Sequence, residues 1–257
     1  RNARYRGPEP GSAAEIAGRG DLVRVMARED GSLRLAQRPD AEGSLVVMDP
    51  ESGAILALQG GFDFNASKFN RAVQAQRQSG SIFKPFIYLA ALEGGTMTVP
   101  SVVQDAPVLI SDGRHELWRP VNASGDFLGP MRLRNALARS RNLVTIRVLR
   151  EVGLNETINF LEGFGFEPSR LPRGLSLGLG SADLTPLEMT NAYAVLANGG
   201  FKVTPWFVER VAKGETTLEE ANPAVACRNC PPGQEQVTID GRSYPVATRV
   251  VDPINLY

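Results

Sequence analysis

Histidine occurs once in this 257-residue chain, cysteine twice, and net charge not at all, with 28 Lys+Arg against 28 Asp+Glu. Each scarcity removes a class of function. A Ser-His-Asp triad would have to recruit His115, which stands in Ser111-Asp-Gly-Arg-His-Glu116 and reads as a surface histidine on an exposed turn. Tetrahedral zinc needs four ligands, and Cys227, Cys230 and a distant His115 fall short, so no metal is expected. Cys227-Arg-Asn-Cys230 runs into Pro-Pro-Gly and therefore reads as loop. A small loop-closing disulfide or two free thiols fits it better than a metal or redox site. Without a basic excess, nucleic acid is not an expected partner. The cluster Arg132, Arg134, Arg139 and Arg141 reads as a solvated helix face rather than a polyanion site.

Long apolar runs are also missing. The best stretch, Phe86 to Leu92, is far below the ~18 residues needed to cross a bilayer. Arg1, Arg4 and Arg6 lead into Pro8 and Pro10 instead of an apolar core, so an export signal or membrane anchor is expected outside these residues. There is no Gly-x-x-x-x-Gly-Lys-Ser/Thr loop and no Gly-x-Gly-x-x-Gly after a strand. The run Gly174 to Gly180 is interrupted by Leu175, Leu177 and Leu179, which suits close packing better than phosphate binding.

What is present can fold. With 42% hydrophobic residues, the chain can bury a core without a metal or disulfide framework, as one large domain or two modest ones. Residues up to about Gly20 read as linker. A hairpin is expected around Asp30-Gly31, with Leu22, Val23 and Val25 before it and Leu33 and Leu35 after it. A second is expected from Leu45–Met48 and Ile55–Leu58. Its apolar density suggests burial on both faces at the centre of a covered sheet. Helices are predicted from Ser81 to Leu92, Met131 to Arg139, Leu143 to Val152 and Glu156 to Gly163. Another spans Pro186 to Ala197, with Thr185 and Glu188 forming a capping box, and a strand follows through Thr204 to Val211. Helices clustered between strand pairs indicate an α+β fold with an antiparallel sheet.

The remaining chemistry lies in Ser81-Ile-Phe-Lys84. Residues i and i+3 share a helix face, so a serine hydroxyl and a lysine amine can approach one another. Serine is a weak nucleophile, and lysine can deprotonate it only when partly neutral. Burial beside Ile82, Phe83 and Phe86 would favour that form. A helix N-terminus would also stabilise developing negative charge at Ser81. By itself the pattern better describes a capping serine followed by a surface lysine. Ser140-Arg-Asn142 stands between two predicted helices, where its polar side chains can face a cleft.

The stretch Lys68-Phe-Asn-Arg-Ala-Val-Gln-Ala-Gln-Arg-Gln-Ser-Gly-Ser81-Ile-Phe-Lys84-Pro-Phe86 closely resembles class A penicillin-binding proteins. Leu137-Ala-Arg-Ser140-Arg-Asn142-Leu-Val-Thr-Ile146 looks like that family's second motif. The stretches Leu179 to Met189 and Ala192 to Gly200 match it further, and the likeness runs from about Asp21 to the last residue. The resemblance implies the penicillin-binding/serine β-lactamase-like transpeptidase fold, with an antiparallel sheet flanked by helices. It implies peptidoglycan stem peptides as substrates, β-lactams as covalent mimics, no cofactor, and residence at the periplasmic face of the bacterial inner membrane. Ser81 would be the nucleophile, Lys84 its base, Ser140 a proton relay and Asn142 a donor to the substrate amide carbonyl.

Two departures qualify the match. The family's third motif, Lys-Thr/Ser-Gly, is absent up to Tyr257, so the chain is expected to stop inside the domain. Without that strand the substrate carboxylate loses its main partner, and an oxyanion-hole donor worth ~3 kcal/mol is lacking. These residues alone are therefore expected to be inactive. Residues 1–43 are expected to be linker and part of a small, OB-like β-domain, and 44–257 a transpeptidase domain lacking its C-terminal strands. The parent is expected to supply those strands, a glycosyltransferase domain and the membrane segment. A serine β-lactamase, a D,D-carboxypeptidase and a non-catalytic module of the same fold are the competing readings.

Overall fold

The computed structural model describes residues 11–36, 39, 41–111 and 117–256. The reading of His115 as an exposed turn falls outside them, as does that of residues 1–10 as linker. The chain forms two compact units, Arg1–Glu42 and Gly43–Tyr257. In the first, β1 (Val25–Ala27) and β2 (Leu33–Leu35) pair antiparallel. Asp30 accepts the Ser32 N–H at the tip, and Gly31 takes the positive φ of 78° that the turn needs.

The second unit is organised around one apolar helix. Its strands open with β3 (Leu45–Met48) and β4 (Ile55–Gln59), followed by α1 (Arg71–Gln74) and β5 (Arg77–Gln78). A 3-10 turn over Gly80–Phe83 leads directly into α2 (Lys84–Glu93). Next come β6 (Val102–Asp105), β7 (Ile110–Ser111), β8 (Leu117–Trp118) and β9 (Gly129–Arg132). Helices α3 (Leu133–Ala138), α4 (Asn142–Val152) and α5 (Leu154–Glu162) follow, then β10 (Asp183–Leu184) and α6 (Pro186–Ala197). Short strands β11 (Phe201–Lys202), β12 (Arg210–Lys213), β13 (Thr216–Glu220), β14 (Gln236–Ile239), β15 (Arg242–Pro245) and β16 (Thr248–Arg249) complete the order. Among the described residues the strands pair antiparallel in twos, including the long-range pairs β5 with β10, β6 with β9, and β11 with β16.

Helix α2 carries Phe86, Ile87, Tyr88, Leu89, Ala90 and Ala91 on almost every side, and all are buried. A helix apolar all round belongs at the centre of a domain. Phe83 and Phe86 pack with Phe164 and Phe166 at ring separations of 5.1–5.7 Å. Each fully buried phenylalanine contributes roughly 2–3 kcal/mol of transfer free energy. Helix α4 packs Val144, Val148 and Leu149 into this core, and its Leu143 and Ile146 are buried as well. The expected box at the start of α6 is present, with Glu188 N donating to Thr185 Oγ1 and Thr185 N to Glu188 Oε2.

Three local expectations need correction. The β3–β4 hairpin is not buried on both faces: its residues are exposed or half-buried, with Leu45 and Leu56 largely open. Apart from a single parallel bridge, Ala54 to Trp206, no further strand among the described residues covers it. Met131 and Arg132 are strand, not helix, because they pair with Val103 and Val102 across β6–β9. The strand expected over Thr204 to Val211 is broken. Pro205 cannot donate to a ladder, Trp206 leaves to bridge Ala54, and only Arg210 and Val211 join β12. Cys227 and Cys230 form a disulfide, one of the two states expected of that loop.

The turn bearing Ser81 is pinned from two sides. Ser79 N donates to Ala182 O at 3.2 Å and Gly80 N to Gly180 O at 3.0 Å. Tyr193 Oη, from α6, donates to Ile82 O at 2.7 Å. Gly180 has a φ of 76°, and a Cβ there would lie 2.0 Å from Gly80 O. The leucine-spaced glycine run thus serves backbone contact. Gly180→Ala is expected to destabilise the domain by at least ~2 kcal/mol, through clash as well as positive φ. Gly95→Ala has a similar φ of 65° but nothing within 4 Å, and should cost only about 1 kcal/mol. Urea unfolding of the two variants measures the difference.

Candidate active site

Lys84 is the first residue of α2 and is only 1% exposed. Its ammonium donates to Ser140 O at 2.7 Å, Ser140 Oγ at 2.9 Å and Asn142 Oδ1 at 2.6 Å. An ammonium has three donors and no acceptor, so this set is complete. All three partners are neutral, and no carboxylate among the described residues pairs with Lys84. Burial without a counter-ion lowers the Lys84 pKa from its ordinary 10.5 to about 8. At pH 7 that leaves about one amine in ten neutral, some 300-fold more than for an ordinary lysine.

Ser81 lies in the 3-10 turn, and its carbonyl accepts the Lys84 backbone N–H. The sequence pattern implied an α-helix here. A 3-10 turn eclipses i and i+3, which places Ser81 and Lys84 on one line along the axis. Ser81 is exposed and Lys84 buried, and the hydrogen bonds of the Lys84 ammonium go to Ser140 and Asn142, not to Ser81. Ile82 is exposed, whereas Phe83 and Phe86 are fully buried.

Ser140 has a left-handed backbone, φ 53°, one of two such non-glycine residues described. It terminates α3 in a Schellman arrangement: Arg141 N donates to Ala136 O and Ser140 N to Leu137 O, both at 2.9 Å. Glycine is the usual residue there, and a side chain costs ~1–2 kcal/mol. The conformation turns both the carbonyl and the hydroxyl of one residue onto Lys84. Asn142 begins α4, donates from Nδ2 to Val121 O at 2.9 Å, and keeps a second amide hydrogen.

Sequence reasoning missed what supports this loop. Arg141 is 5% exposed, not solvated, and its guanidinium binds the fully buried Asp105 as well as Asp126. Burial raises the Asp105 pKa, but hydrogen bonds from Asn122, Arg141 and the Leu128 N–H outweigh it and hold the carboxyl below its usual range. Arg141 and Asp105 are 36 residues apart, so no local spacing could have revealed the pair. The other three clustered arginines, Arg132, Arg134 and Arg139, are exposed as expected.

The family model for the penicillin-binding protein transpeptidase domain matches residues 43–232. The chain belongs to this family. This transpeptidase-domain chain is 47% identical over 236 residues to penicillin-binding protein 1A of Pseudomonas aeruginosa, covering 91% of itself and 28% of that protein. Against penicillin-binding protein 1A of Escherichia coli K12 the figures are 40% over 232 residues, 90% and 27%. It spans about a quarter to a third of these curated relatives. The crystal structure of penicillin-binding protein 1A from Haemophilus influenzae superposes with a TM-score of 0.80 at 39% identity, covering 91% of this chain and 36% of that one. The PonA1 protein of Mycobacterium tuberculosis in complex with penicillin V gives 0.61 at 27% identity, covering 70% and 51%. These matches establish the α+β transpeptidase fold implied by the sequence.

Replacing Ser140 separates strain from bonding. Ser140→Gly and Ser140→Ala both remove the hydroxyl, but only glycine relieves the left-handed backbone. Ser140→Gly should be about 1 kcal/mol more stable than Ser140→Ala in thermal or urea unfolding.

Proposed function

We propose that the chain carries the acylating site of a peptidoglycan D,D-transpeptidase, with Ser81 as nucleophile and Lys84 as base. The observation that carries this reading is the buried Lys84 ammonium held by Ser140 and Asn142, one 3-10 turn beyond an exposed serine. The protonated amine cannot accept a proton. Loss of one proton leaves two donors for three acceptors, so one contact must open, most simply the Ser140 hydroxyl by turning, before the lone pair can face the Ser81 hydroxyl.

Ser81 Oγ then attacks the carbonyl of the penultimate D-alanine while Lys84 takes the hydroxyl proton. The C–N bond to the terminal D-alanine breaks, and the departing amine receives a proton relayed through Ser140. An amine from a neighbouring stem peptide attacks the resulting ester and forms the new amide. Its proton returns through Lys84 as Ser81 regains its own. The free Asn142 amide hydrogen is placed to donate to a substrate amide carbonyl. A β-lactam enters by the same attack, but its amine stays tethered after ring opening, so the ester persists. Penicillin V in the similar PonA1 structure supports this class of ligand.

We extend the proposal to the parent protein, which would act at the periplasmic face of the inner membrane and carry a glycosyltransferase domain. No helix among the described residues is long and apolar enough to cross a membrane, so the anchor would come from another segment. Residues 1–43 are assigned to linker and part of a small β-domain.

Fluorescent penicillin tests the assignment in the full-length protein, because the Lys-Thr/Ser-Gly motif is not among these residues. Ser81 should be labelled, Ser81→Ala should lose labelling, and the acyl group should persist. Folded protein that never labels, or labels equally well as Ser81→Ala, rejects the transpeptidase reading; rapid release of the acyl group would favour a hydrolase. Because the neutral amine is the active form, labelling should fall roughly tenfold per pH unit below about 7 and level off above about 8. Stopped-flow acylation rates between pH 5.5 and 9.5 measure this limb.

A further inference from the structure

Arg141 stands between the two residues that hold Lys84, yet its guanidinium binds neither of them. It is fully occupied elsewhere. Nε donates to Asp105 Oδ2 at 2.8 Å, and Nη2 contacts the same oxygen at 2.6 Å. Nη2 also donates to Asp126 O at 2.7 Å, while Nη1 donates to Asp126 Oδ1 and Ser124 Oγ, both at 2.9 Å. Five donors therefore meet five contacts in a fixed plane, which a lysine could not reproduce.

The same carboxylate organises the other wall. Asn122 Nδ2 donates to Asp105 Oδ1 at 2.8 Å and to Asp126 O at 2.9 Å, and Asn122 Oδ1 accepts Leu143 N at 3.3 Å. Leu128 N donates to Asp105 Oδ2 at 3.0 Å. Residues 121–128 are thereby tied to the start of α4, and Val121 O is the acceptor that fixes the Asn142 amide. On the far side, Arg141 O accepts Thr145 Oγ1 at 2.9 Å, and Thr145 Oγ1 shares a hydrogen bond of 3.2 Å with Tyr88. Tyr88 lies one turn after Lys84 on α2. The network thus reaches the lysine's helix and Asn142 through hydrogen bonds, and Ser140 as the residue next to Arg141 in the chain.

We propose that Arg141 is a positioning residue for Ser81 acylation: gripping Asp105 and Asp126, it holds residues 121–128 against α4 and so sets where Ser140 and Asn142 meet Lys84. This inference rests on the transpeptidase reading above. A residue that served only to keep the domain folded would leave acylation by the folded fraction unchanged. A residue that places the site would alter the rate within fully folded protein.

The test uses the full-length protein with two substitutions that treat the buried charge differently. R141K keeps the charge and loses the planar fork, whereas D105N/R141M removes both charges together. Acylation by fluorescent penicillin is followed to saturation, hydrogen exchange is measured over 121–128 and α5, and melting curves identify folded protein. Folded variants should acylate about 10–100-fold more slowly at saturating penicillin, with the loss larger in that limiting rate than in the half-saturating concentration. Exchange over 121–128 should rise while that over α5 stays unchanged. A cooperatively melting variant that acylates at the parent rate, or whose 121–128 exchange is unaltered, overturns the proposal. Should neither variant fold, D126N removes a carboxylate that is 54% exposed and should still slow acylation severalfold; an unchanged rate there overturns it equally. Failure of the unsubstituted protein to label rejects the transpeptidase reading itself, and the positioning role with it.

Discussion

An ammonium buried among neutral acceptors is the constraint around which this domain is arranged. Removing Lys84 from water is costly, and no carboxylate among the described residues offsets that cost. Only groups brought from another part of the chain can satisfy its three donors, so the start of α2 and the loop between α3 and α4 must meet in one relative position. The apolar mass of α2 and α4 supplies the driving force for that meeting, and the lysine supplies its register. The same lack of a counter-ion that makes the amine expensive to bury brings its titration close to neutrality.

The charges that are paired lie one layer away. Asp105 is fully buried, accepts from Asn122, Arg141 and the Leu128 N–H, and stays ionised. A buried ion pair of this kind often adds little net stability over an apolar substitute, because desolvation offsets attraction. Its contribution here is geometric. Ser140, Asn142 and Val121 all belong to segments that the pair fixes. The domain thus separates two electrostatic tasks: a paired layer that holds shape, and an unpaired cation whose proton can leave.

Features governed by neighbours along the chain were readable from the sequence. Thr185 and Glu188 cap the same helix, and Ser81 and Lys84 lie within one turn of each other. Asn198-Gly199-Gly200 stops a helix that begins at Pro186. The family likeness carried the α+β transpeptidase fold, and it named Ser140 and Asn142 beside Lys84. Features governed by distant partners were not readable. Arg141 looks like any arginine on a polar helix until Asp105 is brought beside it. Met131 and Arg132 have helical neighbours in sequence but pair with Val102 and Val103 in space. The β3–β4 hairpin has the composition of a central strand pair, yet burial depends on what packs against it, and its own residues do not encode that.

Ser140 gives the lysine its carbonyl and its hydroxyl at once, from a single left-handed residue. Rotation about the side-chain bond can release the hydroxyl alone, whereas the carbonyl can leave only if the backbone that ends α3 moves. The clamp therefore has one part that can swing and one that cannot: the hydroxyl is free to pass a proton while the carbonyl keeps the amine in place.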